Sequence, residues 1–63
     1  MKRILIVEDE ENILMNLKFL LSANGFDPIT AIDGVQGLKL AKKLLPDLIL
    51  SDIMILLDAL ELG

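Results

Sequence analysis

Four consecutive apolar residues, Ile4, Leu5, Ile6 and Val7, run directly into four acids, Glu8, Asp9, Glu10 and Glu11. A run this short, unbroken and rich in β-branched side chains does not alternate between a wet face and a dry one. It reads as a strand covered on both sides, the place of a central strand in a parallel sheet. The acids that end it then stand at the strand's carboxyl end.

The pattern after the acids is helical. From about residue 10 to 23, Ile13, Leu14, Leu17, Leu20 and Leu21 share one face, acids occupy the first turn and Gly25 supplies a stop. Met15 and Phe19 lie four residues apart on the other side of this helix and read either as scattered surface hydrophobes or as a second contact face. A second strand is expected at about 26–32, and Pro28 within it points to a sheet edge because proline donates no ladder hydrogen bond. Asp33 then reads as an N-cap for a helix over about 34–45, with its lysines late, where the helix dipole favours cations. Pro46 ends that helix, and Leu48, Ile49 and Leu50 begin a third strand at about 47–52. Residues 54–62 are apolar on nearly every side and read as a helix, with one long extended run from Leu48 to Leu57 as the other option.

The order is β-α-β-α-β in a single unit of 63 residues. Right-handed crossovers place one helix on each face of the sheet if the first strand lies between the other two, which predicts the spatial order 2-1-3. A chain this short removes only about 60% of its unfolded surface on folding. With 54% hydrophobic residues and a mean hydropathy of +0.63 it carries more apolar surface than one small core can hide, so burial against other chain is expected.

Composition excludes several classes of function. There is no Cys for a thiolate nucleophile or zinc site, and no His for an imidazole base or a phosphohistidine. Ten acidic residues against six basic ones, with no Trp or Tyr, argue against nucleic-acid binding. No secretory signal is recognisable, and Pro46, Asp47, Asp52, Asp58 and Glu61 interrupt the one apolar stretch long enough to suggest a membrane span. A cytoplasmic location without membrane contact is expected.

In an open parallel sheet, ligands bind at the carboxyl ends of the strands where the strand order reverses. That point lies between the first and third strands, so Glu8, Asp9 and Asp52 are expected to converge in one crevice. Three carboxylates so placed suit a hard cation such as Mg2+.

The segments ILIVEDEENIL and GFDPITAIDGVQGLKLAKKLLPDLILSDIM, with their spacing, resemble the first half of a two-component response-regulator receiver domain, through Met54. The resemblance implies half of a flavodoxin-like, doubly wound α/β fold. It further implies that Asp52 accepts phosphate from a histidine kinase, that Glu8 and Asp9 help hold Mg2+, and that the backbone carbonyl of Met54 is a further ligand. A phosphoacceptor of this kind is not an enzyme, and no active catalytic residue is expected.

Receivers follow the phosphoacceptor with a Met-Pro turn and an Asp-Gly pair, whereas this chain reads Ile55, Leu56, Leu57, Asp58 and Ala59. The fourth and fifth strands of the family, with their hydroxyl residue and lysine, have no counterpart in the 63 residues. The sequence is therefore expected to be a truncated, engineered half-domain that folds and self-associates as a structural module with little signalling, binding Mg2+ weakly. The alternative is a working phosphoacceptor served by a histidine kinase. A two-fold homodimer is expected through Met15, Phe19, Leu48, Leu50, Ile55, Leu56, Leu57 and Leu60, either by pairing of third strands or by packing or exchange of the terminal segment.

Overall fold

The computed structural model describes residues 1–51. The helix expected over about 54–62 lies outside the described residues. The elements are β1 (Arg3–Val7), α1 (Glu11–Ala23), β2 (Asp27–Ala31), α2 (Gly34–Leu44) and β3 (Leu48–Ser51). The strands form one parallel sheet in the order β2-β1-β3.

Side-chain alternation on β1 divides the core between the two faces. Leu5 and Val7 pack with Ala31, Ile29, Leu40 and Ala41 beneath α2. Ile4 and Ile6 point to the opposite face, where Leu17 of α1 approaches Ile6. All four are buried. A single unbroken apolar run thus serves two layers at once, which is why it shows no alternation in sequence.

Local chemistry sets the helix ends. Glu10 caps α1 by accepting the Asn12 N–H, and Asp33 caps α2 by accepting the Gln36 N–H at 2.8 Å. The Gln36 side chain reaches back to accept the Ile32 N–H at 2.9 Å, so donor and acceptor are exchanged across the first turn. At the end of α1, Gly25 takes a positive φ of 84°; its N–H donates to the Ser22 carbonyl, and that of Phe26 to the Leu21 carbonyl. These two bonds satisfy carbonyls that the helix leaves open. Pro46 keeps the residue before it out of the right-handed helical region, and Leu45 ends α2 with φ 48°.

Pro28 lies on β2, the outer strand, opposite Ile4, where its missing donor costs no ladder bond. At the amino ends of the strands, the Arg3 N–H donates to Asp47 Oδ2 at 2.8 Å and the Asp47 N–H donates to the Arg3 carbonyl at 2.9 Å. This pair of bonds aligns β3 with β1 from its first residue.

Two details depart from the sequence reading. On α1 only Leu14 is buried, with Leu17 and Leu21 half-buried, while Ile13 and Leu20 of the same apolar face are exposed. The helix lies over β1 and β2 rather than β3, so one flank of its apolar face has no described strand beneath it. Leu45 falls by helical spacing on the same side of α2 as Gly37, Leu38, Ala41 and Leu44, yet it is exposed because the left-handed turn carries it off the helix. Leu40, outside that set, joins the core instead.

Gly37 marks the closest approach of α2 to β1, where an added Cβ would stand 2.7 Å from Val7 Cγ2. Gly37→Ala gains up to about 1 kcal/mol of helix propensity but overpacks β1 at a cost of about 1–3 kcal/mol, so net destabilisation is expected in urea unfolding. Leu45→Gly relieves the left-handed backbone and is expected to raise stability by about 0.5–1 kcal/mol in the same measurement. Equal midpoints for the parent chain and both variants would contradict these two readings of the backbone.

Candidate functional site

The register of the central strands determines which chain ends meet. Ile4 lies beside Leu48, Leu5 beside Ile49, Ile6 beside Leu50 and Val7 beside Ser51. β1 and β3 therefore finish level, and the next residue after Val7 is Glu8, as the next after Ser51 is Asp52. On the other flank the Glu8 N–H donates to the Ala31 carbonyl at 3.0 Å, which carries the β1–β2 pairing one residue past the strand and fixes where the acid begins.

A cleft of about 360 Å³ opens at this carboxyl end, lined by Ile6, Val7, Glu8, Leu17, Leu50 and Ser51. Its floor and walls are apolar, and Glu8 supplies the charged group at its rim. Glu8 is half-buried, and its Oε1 accepts the Glu10 N–H at 3.1 Å, a contact that holds the carboxylate in the turn between β1 and α1. Asp9 occupies the same turn and is exposed. Two adjacent carboxylates at a strand end are hard oxygen donors of the type Mg2+ takes, so the donor chemistry fits that ion. No group of three metal-ligating side chains occurs among the described residues. Asp52 and Met54, the other two expected ligands, lie outside the described residues.

The residues expected at an interface divide in the same way. Met15 and Phe19 are exposed on α1, the latter at 77%, and Leu48 and Leu50 are exposed on β3. Ile55, Leu56, Leu57 and Leu60 lie outside the described residues. Leu17 and Ser51 line the cleft without having been singled out as site residues in sequence. Leu17 reads there as one of several leucines on an apolar helix face, and only its position over the β1–β3 seam gives it a place at the site.

Among the described residues no helix is long and apolar enough to cross a membrane. No protein-family model matches the chain. It is 48% identical over 61 residues to the alkaline phosphatase synthesis transcriptional regulatory protein PhoP of Bacillus subtilis, a match covering 95% of this chain and 25% of that protein. The DNA-binding response regulator MtrA of Mycobacterium tuberculosis is 39% identical over 54 residues, covering 86% of this chain and 24% of that protein. The chain spans about a quarter of the length of these curated relatives. Among solved structures, the response regulator receiver domain protein from Clostridium thermocellum matches with a TM-score of 0.80 at 33% identity, covering 82% of this chain and 43% of that one. The β2-β1-β3 sheet, the acid pair that ends β1 and these similarities agree: in sequence and in fold, the chain resembles the amino-terminal half of a two-component response-regulator receiver domain.

Proposed function

We propose that the chain is a phosphoacceptor unit of a His-to-Asp phosphorelay, in which Asp52 takes a phosphoryl group from a histidine kinase. Glu8, Asp9, Asp52 and the Met54 carbonyl would hold Mg2+. The observation that carries this reading is the β1–β3 register, because Val7 beside Ser51 makes the acid pair and Asp52 the next residues along two neighbouring strands.

In the transfer, a carboxylate oxygen of Asp52 bonds to phosphorus as the bond from phosphorus to the kinase's histidine nitrogen breaks. The imidazole keeps the bonding electron pair, and the product is an aspartyl phosphate. Mg2+, when bound, offsets negative charge on the phosphoryl oxygens and the carboxylates. The part of Glu8 is to hold its carboxylate at the cleft rim, which its bond from the Glu10 N–H does before any ligand arrives. The acceptor is consumed once per transfer, so the unit does not turn over as an enzyme does.

The reading of the chain as a self-associating module with little signalling draws on a different observation. Leu48, Ile49 and Leu50 are all exposed although each pairs with a buried residue of β1.

Removing one carboxylate from a small hard-ion site is expected to weaken Mg2+ binding about tenfold, which is about 1.4 kcal/mol. Glu8→Gln and Asp9→Asn should each do so in a titration followed by amide chemical shifts, and an unchanged affinity in both would remove the acid pair from the metal site. Incubation with Mg2+ and a small phosphodonor is expected to add one phosphate to the intact mass, slowly, and Asp52→Asn to abolish the addition. Phosphate that survives Asp52→Asn would overturn the assignment of the acceptor, and no addition to the parent chain would favour the structural module.

A further inference from the structure

A side-chain amide is most open to attack by the next backbone nitrogen when the next residue is glycine, because a residue without Cβ leaves that nitrogen uncrowded. Of the three asparagines in the chain, only Asn24 precedes a glycine. Asn12 precedes Ile13 and Asn16 precedes Leu17, and both lie within α1, where the helix holds the backbone. Asn24 stands at the end of α1 with φ −103° and ψ 16°, and Gly25 follows at φ 84°. A Cβ added to Gly25 would meet no described atom within 4 Å, so a ring formed between the two residues has room.

Two hydrogen bonds restrain the groups that would react. Asn24 Nδ2 donates to the Leu20 carbonyl at 2.8 Å, and the Gly25 N–H donates to the Ser22 carbonyl at 3.2 Å. Both must break before the Gly25 nitrogen can reach Asn24 Cγ. Every residue from Ser22 to Asp27 is exposed, so opening this helix end uncovers little further apolar surface. Asp33-Gly34 has the same open successor but is held more firmly. Asp33 Oδ1 accepts the Gln36 N–H at 2.8 Å, and Gly34 is buried in the first turn of α2.

We propose that Asn24 is a site of non-enzymatic deamidation, with Gly25 as the internal nucleophile and the α1 C-cap as the latch that controls the rate. In the opened cap the Gly25 N–H gives its proton to hydroxide, and the nitrogen bonds to Asn24 Cγ. The Cγ–Nδ2 bond breaks, and its nitrogen leaves with the bonding pair as ammonia after taking a proton from water. Water then opens the succinimide. Cleavage at Cγ leaves aspartate, and cleavage at the Asn24 backbone carbonyl leaves isoaspartate, with the main chain routed through Cγ. The net change consumes one water and releases one ammonia.

Either product weakens the cap. No basic residue lies in the last turn of α1, and the Asn24 amide donates to its carbonyl end. A carboxylate there donates nothing and faces the negative end of the helix dipole. Isoaspartate also lengthens the main chain between the Asn24 and Phe26 N–H groups, which both donate to the Leu21 carbonyl. The acid pair stands at the opposite end of α1, so the proposal does not depend on the phosphoryl chemistry above.

The test incubates the 63-residue chain at mildly alkaline pH and maps the products by peptide mass. Conversion of amide to acid is expected at Asn24 at least about tenfold faster than at Asn12 or Asn16, whose successors crowd the attack. Isoaspartate is expected at position 24 and none at Asp33. Unfolding in urea is expected to raise the Asn24 rate several-fold, since both cap bonds are then gone. Asn24→Gln, whose ring closure needs a further methylene, is expected to survive the same incubation with the circular dichroism of the parent chain. Asn24→Asp, which is one of the products, is expected to lower the midpoint of urea unfolding. No conversion at Asn24, or equal conversion at all three asparagines, overturns the assignment of the site. An Asn24 rate unchanged by urea overturns control by the cap, and an Asn24→Asp midpoint equal to that of the parent chain overturns the weakening of the cap by its product.

Discussion

The burial of β1 on both faces is the constraint on which the other elements depend. Ile4, Leu5, Ile6 and Val7 are the central layer of the only sheet among the described residues, and each is packed from above or below while its backbone pairs on both sides. Each such side chain contributes on the order of 1.5–3 kcal/mol by leaving water. The half-exposed Arg3–Asp27 ion pair, at 3.9 Å, is weak beside that. α1 and α2 are held where they are because each covers one face of this strand.

The same strand positions the chemistry. A parallel register that starts level, through the reciprocal Arg3 and Asp47 bonds, also ends level, with Val7 beside Ser51 and the acid pair directly after Val7. Gly37 lets α2 approach Val7 closely, which seals the α2 face up to the strand's end. On the α1 face the cover by described residues stops short of β3, and the cleft beside Glu8 opens there. Glu8 and the exposed apolar residue Leu50 line that same cleft.

Much of this was legible from residue patterns, for reasons specific to each. The acid run after Val7, Asp33 before Gly34, Gly25 after α1 and Pro46 after α2 are local signals, settled by backbone bonds within a few residues of each helix end. Pro28 marked an edge strand because a missing N–H has the same consequence in any fold. The sidedness of α1 was not legible. Leu14, Leu17 and Leu21 are chemically indistinguishable from Leu20 and equally well spaced, and only the sheet beneath them separates covered from bare.

By itself the sequence determined the alternation of strands and helices, the ends of the helices and the acid pair that directly follows the first strand, because each depends on neighbours close along the chain. Tertiary structure decided which apolar residues are buried, the register that sets Val7 beside Ser51, and the exposure of β3 on both faces. Those depend on contacts between segments some forty residues apart, such as Arg3 with Asp47. A leucine carries the same hydrophobicity at position 5 and at position 48, and the difference between them lies in what surrounds each strand.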